Sequence, residues 1–553
     1  MNMNKYILSV ALVTLIGIGC NKVLDTKVDT QLTDEDIENN YNNLRDFGYS
    51  AYTNVQNGFY SIDNNLFAAA TDDAEQTMPT SQAQFFNNGS WSAFYNPDDQ
   101  YTNDYEGIFY CNYFLENSSD YRNILARNRD TVSDGGNLYR RDVSDIQWLR
   151  AENRVLRAYY YFDLIKRYGG VPLITRTYSR NENTHIPRSS YDEIVDFIIK
   201  DIDVAMDSLQ TDWTSFSTDL TGRITKGVAL ALKSRVLLYA ASPLHNDGNN
   251  GEKWLRAADA AHQVIELGTY QLDGNYRNLF IADNTMKSPE TIWCIRMAPG
   301  NDVEIKNYPV GTPGGNSGVT PSQNLVDAYE YTGTADPANP YANRDPRLAY
   351  TIVTNNSQWN GRTMQIYSGG QDDPAMAAAS RTGYYLKKFL NDNLDLVNND
   401  IEARAWILFR YAEILLNYAE AMNEAFGPNN TASYGLSAVN ALNMVRQRTG
   451  VNMPAITATS KEQMRTLIKR ERRVELAFEG HRWWDLVRWQ DAASMLNQPL
   501  RGVRITNMGG GIFNYQYFNV ENRVFTAPKM YLYPIPQNEV TKSNGVLIQN
   551  PGW

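Results

Sequence analysis

The sequence predicts a mainly α-helical protein, a scaffold of tetratricopeptide-like helical hairpins carrying long irregular loops and a few short β-strands. Three observations predict it. Leu408, Ala412, Leu415, Ala419 and Met422 are spaced by 4, 3, 4 and 3 residues, which places five apolar side chains on one helical stripe. Amphipathic segments of this kind come in pairs separated by short breaks. Elsewhere, from about 43 to 130 and from about 270 to 402, the chain turns to Gly, Pro, Asn and Tyr.

In chain order, a helix is expected from about Trp148 to Tyr168 and another from Tyr191 to Leu209. The stretches KGVALALKSRVLLYAASP, ending at Pro243, and KWLRAADAAHQVIELG, ending at Gly268, form a hairpin with small Ala residues where helices must approach closely. Thr291 to Ile295 is a strand-like run. The helix carrying Leu408 to Met422 stops at Gly427-Pro428, and its partner runs from about Leu436 to Thr449 and stops at Gly450. Alternating small and large apolar residues on paired helices mark tetratricopeptide-like units, here too widely separated for a strict repeat. Helical repeats are thus expected at about 145–268 and 403–480. Rigid elements position variable loops, so ligand contacts are expected in the two insertions.

The opening MNMNKYILSVALVTLIGIGC has a Lys, an apolar run and then small residues. The run is shorter than the roughly 20 residues that span a bilayer, so 1–19 is expected to be a signal peptide. Cys20 follows at the cleavage point, as in a bacterial lipobox, although Gly17 stands where Leu is usual. A lipid on Cys20 would anchor the exported protein, with residues 20–33 as lipidated N-terminus and tether and a single folded domain over 34–553. Cys111 and Cys294 are then the one pair left for a disulfide.

Of 553 residues, 42% are hydrophobic and 20% charged, and the 36 Tyr, 19 Phe and 11 Trp suit ligand recognition. A net charge of −11 repels phosphate backbones and argues against nucleic acid. None of His185, His245, His262 and His481 has another histidine at metal-site spacing, Gly251 breaks a calcium-loop pattern at Asp247, Asn249 and Glu252, and no metal or cofactor is expected. Ser317 in GGNSG lacks the frame of a nucleophile elbow and is expected in a turn. Glu413, Glu420 and Glu424 are expected on the polar face of their helix, solvated or salt-bridged. The charges of IKRERRVELAFEGHRWW are expected to pair along a helix surface. Asp63, Asn65, Asp72, Asp73 and Gln76, followed by Trp91, Tyr95, Tyr101 and Tyr105, suit a sugar: rings stack on its apolar faces, while carboxylates and amides bond its hydroxyls.

Six segments, RAYYYFDLIKRYGGVPLI, RDPRLAY, FRYAEILLNYAEAMNEA, LNMVRQRTG, RVELAFEGHRWWDLVRW and YLYPIPQNEVTKSNGVLIQNPGW, recur in the order of the SusD/RagB family of surface glycan-binding lipoproteins, which the chain resembles over nearly its whole length. The resemblance implies a tetratricopeptide-like base, an irregular ligand face, and a SusC-like TonB-dependent outer-membrane transporter on which the protein sits as a lid. It implies an outer-membrane, lipid-anchored protein facing the cell exterior that captures an oligosaccharide without chemistry. Trp483 and Trp484 look structural in it. Ligand contacts are expected by segment: Trp91 as the stacking platform, Asp63, Asn65 and Asp73 as hydroxyl partners, and Arg362, Tyr385 and Cys294 as further contacts. A carboxylate-rich site with one obvious Trp leans toward a short or flexible oligosaccharide such as a fructan. Two other classes compete. An exported glycoside hydrolase needs two carboxylates about 5–10 Å apart, and a peptide-binding interaction module needs only the repeats.

Overall fold

The structure, a computed structural model, describes residues 40–179, 182 and 185–553. The signal peptide, Cys20, the tether and the expected domain start at 34 lie outside the described residues.

The scaffold is a succession of neighbouring helices. After α1 (Tyr41–Ser50), strand β1 (Ala74–Gln76) and the short α2 (Ala83–Asn87) come α3 (Tyr101–Asn117), α4 (Asn137–Tyr168), α5 (Tyr191–Ala205), α6 (Lys226–Ala241) and α7 (Gly251–Glu266). From α3 to α7 each packs on the next. Strands β2 (Thr291–Gly300), β3 (Val319–Pro321) and β4 (Glu402–Arg410) precede α8 (Tyr411–Phe426), α9 (Ala438–Arg446), α10 (Lys461–Glu475) and α11 (Arg482–Arg488). Helix α8 packs on α7, α9 and α10 and so closes the scaffold. A hairpin of β5 (Leu500–Gly509) and β6 (Ile512–Glu521), then α12 (Gln537–Lys542), completes the chain.

Local chemistry sets these boundaries. Ser190 accepts from the Glu193 amide while Glu193 reaches back to the Ser190 amide, a capping box that fixes the start of α5. Thr225, Ser437 and Ser460 cap α6, α9 and α10 by the same kind of bond. Gly427 ends α8 with φ of +91°, a conformation that side chains resist.

Several expectations need correction. Leu408 belongs to β4, not to the helix, which starts at Tyr411; β4 pairs antiparallel with β2, and that ladder overrides the helical spacing. The insertion 43–130 contains α1 and the long α3, so Tyr101 and Tyr105 lie on a helix. The hairpin of β5 and β6 was not foreseen. Glu413 and Glu420 are salt-bridged, as expected, yet inside the protein: Arg235 grips Glu413 at 2.6 and 2.7 Å, and Arg488 grips Glu420 at 2.5 and 2.7 Å. Much of the α10 charge is equally internal. Glu475 accepts from Arg410, Arg448 and Arg347 at 2.7, 2.9 and 2.8 Å, all four side chains being buried. Cys111 and Cys294 are both free and buried, so no disulfide joins them.

One buried acid sits apart from this pattern. Asp104 of α3 is fully buried beside Asp163 of α4, and burial, then the Asp163 charge, push its carboxyl well above the ordinary range. A group whose folded pKa is raised contributes stability below its unfolded pKa of about 3.9 and loses it as pH rises. Asp104→Asn, which keeps the shape without the charge, is expected to gain about 1 kcal/mol or more at pH 8 and less at pH 5. Thermal unfolding at the two pH values measures this.

Candidate functional site

The loop face is assembled from segments far apart in sequence. Strand β1 pairs antiparallel with β3, Ala74 opposite Pro321 and Gln76 opposite Val319. Beside this ladder Asn65 and Asn307 exchange amide hydrogen bonds of 3.0 and 3.1 Å, and Lys306 donates to the Asn64 carbonyl at 2.7 Å while lying over the half-exposed Tyr60 ring. Ser317, expected in a turn, lies in irregular backbone just before β3 with φ of +50°, and Thr77 Oγ1 donates to its carbonyl. Arg362 clamps Asp372 at 2.6 and 2.7 Å, and Asp372 in turn accepts from the Gly311 amide. These bonds fuse residues 60–66, 74–82, 306–321 and 362–372 into one layer, most of whose bonded side chains are buried. At its edge Arg381 contacts buried Glu75, whose carboxyl burial and nearby Glu521 push up to about 8.

Beyond α2, whose Phe85 touches Tyr95, the chain forms a cleft of about 280 Å³. Ser92 and Tyr95 exchange backbone hydrogen bonds of 2.9 and 3.2 Å, making a tight turn with Phe94 at its tip. Phe94 is 84% exposed, an unusual setting for phenylalanine, and Tyr95 and Phe85 are also exposed, with ring centroids 4.8 Å apart. The Gln537 amide donates to the Ala93 carbonyl at 2.8 Å, so the first turn of α12 forms the opposite wall. Asn96 and Asp99 line it on one side, Gln537 and Asn538 on the other. Asp99 accepts from the Tyr168 hydroxyl at 2.6 Å, while Nδ2 of Asn96 is buried without a hydrogen-bond partner among the described residues. An apolar ring beside amides and one carboxylate can hold a polyhydroxylated ring: the aromatic face covers its C–H groups and the polar ends bond its hydroxyls.

Of the expected contacts, Asp63 and Arg362 remain at the surface. Asp63 accepts from Ser81 and from the Gln82 amide at 2.5 and 2.8 Å, close to α2 and hence to Phe85. The others are turned inward. Trp91 is not a surface platform: it is 1% exposed, stacked on Phe86 at 5.0 Å and packed against Tyr533 and Trp553 at 4.9 and 4.6 Å. Asp73 is buried in an ion pair of 2.7 Å with Arg473, and neighbouring Asp72 bonds Arg482 at 2.8 Å, which rivets the layer to α10 and α11. Asn65 is consumed by Asn307, and Tyr385 is buried behind the layer. Cys294 lies apart, opposite Ile407 in the ladder of β2 and β4, and burial pushes its thiol up to about 12. Of the rings that do face solvent, the sequence reading names Tyr95 and misses Phe85 and Phe94. Their signal was the Asn-Gly and Asn-Pro-Asp turns around them, which aim the neighbours of a buried Trp outward. Among the described residues no group of three His, Cys, Asp or Glu side chains is placed to hold a metal ion, and no helix is long and apolar enough to cross a membrane.

Comparison with known proteins agrees with this architecture. The profile of the SusD family matches residues 270–553, and a second, described as starch-binding and associating with the outer membrane, matches 22–238. The chain is 29% identical to a SusD-like protein of Formosa agariphila, over 65% of its own length and 69% of the relative's. It is 27% identical to a SusD-like protein of Bacteroides ovatus, over 69% and 68%. A crystal structure of a SusD-like protein from Bacteroides fragilis superposes with a TM-score of 0.77 at 27% identity, covering 94% of this chain and 99% of that one. A laminarin-binding SusD-like protein shares the fold, with a TM-score of 0.64 at 24% identity and coverage of 93% and 99%. With one family profile spanning its C-terminal half, relatives along most of its length and the whole fold in common, this chain belongs to the SusD family.

Proposed function

We propose that this protein captures an oligosaccharide at the cell exterior, in the cleft between the Phe94 turn and α12, and passes it unchanged to a TonB-dependent outer-membrane transporter that it covers as a lid. The carrying observation is Phe94, an exposed ring on a tight turn beside the Asn96, Gln537 and Asn538 amides. Family membership, a laminarin-binding relative of the same fold and a family description that names the outer membrane support the reading. Anchoring through a lipid on Cys20 completes it.

Calorimetric titration against a panel of glucans, fructans and host glycans tests the reading. Phe94→Ala combined with Tyr95→Ala is expected to weaken binding about tenfold or more, since aromatic contacts contribute roughly 0.5–1.5 kcal/mol each beyond the area they cover. Its melting temperature should stay that of the parent. Binding of peptides alone, or release of new reducing ends from the glycan, would overturn the assignment.

A further inference from the structure

The two segments that wall the cleft run on past Asp99 and Asn538. Just beyond, Tyr101 and Glu539 line a second hollow of about 690 Å³. One wall continues from the Phe94 turn into α3, the other from Pro536 through α12 to Leu547, so the same two segments flank both hollows. Beneath them runs the segment from Pro172 to Tyr178.

Along its α3 wall this groove is lined by Tyr101, Tyr105 and Phe109, spaced by four residues, with Tyr101 buried, Tyr105 half-buried and Phe109 open. On a helix that spacing stacks side chains on one face at steps of about 6 Å, comparable with the length of one sugar residue in a chain. The first two rings are held in place: their centroids are 4.9 Å apart, and the Tyr105 hydroxyl donates to the Pro172 carbonyl at 2.7 Å. The third is different, because Phe109 keeps 46% of its surface in solvent. Polar groups edge the row, among them Glu106 and Lys542, and Arg176 lies 3.9 Å above the Tyr178 ring. Rings in a row with hydrogen-bonding groups along the edges match a linear saccharide better than an acyl chain, which would leave those edges unused.

We infer that the groove is a second, length-dependent subsite: it takes the continuation of a linear oligosaccharide whose end sits in the Phe94 cleft. The inference rests on the proposed capture function and deepens it from a monosaccharide-sized contact to a chain. Its volume falls within the range of about 300–1,000 Å³ typical of ligand sites and exceeds twice that of the cleft.

The test compares a disaccharide with a hexasaccharide of whichever glycan binds in the panel, on the parent and on Phe109→Ala combined with Tyr178→Ala. Both substitutions are at the groove surface, and an unchanged melting temperature verifies the fold. The parent is expected to bind the longer chain about tenfold more tightly, and the groove variant to lose that advantage while keeping its affinity for the disaccharide. Equal affinity of the parent for both lengths, or a groove variant that still prefers the longer chain, would sink the second subsite and leave the cleft reading standing. A groove variant that loses both ligands equally would also overturn it. Failure of every glycan on the parent would overturn the cleft reading, and the subsite with it.

Discussion

Glu475→Ala is expected to cost the fold about 3–5 kcal/mol, the penalty typical of breaking a buried ion pair from one side. Glu475 is fully buried between Arg410, Arg448 and Arg347, and Arg410 also bonds Glu290 and Glu479 at 2.7 and 2.6 Å. Removing the carboxylate leaves three guanidinium groups facing a common gap with water excluded. Burial alone would raise the Glu475 pKa, but Arg410, Arg448 and Arg347 outweigh it and hold the carboxyl below its usual range. A depressed pKa contributes stability above the unfolded value of about 4.3 and loses it as pH falls through the folded value. The variant should therefore lie far below the parent at pH 7, and the gap should narrow in acid. Urea unfolding of both proteins at pH 7 and pH 4 measures it; equal midpoints at pH 7 would show that the arginines find other partners.

Trp91→Ala should cost a similar amount, about 3–5 kcal/mol, because a large buried ring leaves a cavity as well as losing its transfer energy. The indole fills the space between Phe86, Tyr533 and Trp553, directly behind the cleft. Its effect and that of Phe94→Ala with Tyr95→Ala are opposite in kind. The Trp91 variant unfolds earlier, whereas the surface variant keeps its stability and loses ligand. Calorimetric melting and titration of both proteins separate the two, and a Trp91 variant with the parent's melting temperature would contradict the packing described above.

The contrast shows what the sequence makes legible. Helices α5 to α9 are readable because apolar period, caps and glycine stops are local, and each names the same element. Leu408 misleads because four residues of helical spacing also fit a buried strand, and only the distant β2 decides. Glu413 and Glu420 read as surface acids because their partners, Arg235 and Arg488, lie 178 and 68 residues away. In the candidate site the insertion 43–130 supplies the Phe94 wall, yet which aromatic of Phe85, Trp91, Phe94 and Tyr95 points outward depends on turn geometry and on Tyr533 and Trp553 arriving from the far end of the chain.

The ladder between β1 and β3, with the Asn65–Asn307 clasp beside it, joins positions separated by more than 240 residues. Loop-closure entropy makes such pairings late events, formed after locally stabilised helices already exist. Two populations of folding chains follow from this: helical with the ladder unformed, then helical with it complete. Recovery of glycan affinity after dilution from urea should lag the return of the far-ultraviolet helix signal, so retention on an immobilised glycan would sort finished molecules from unfinished ones.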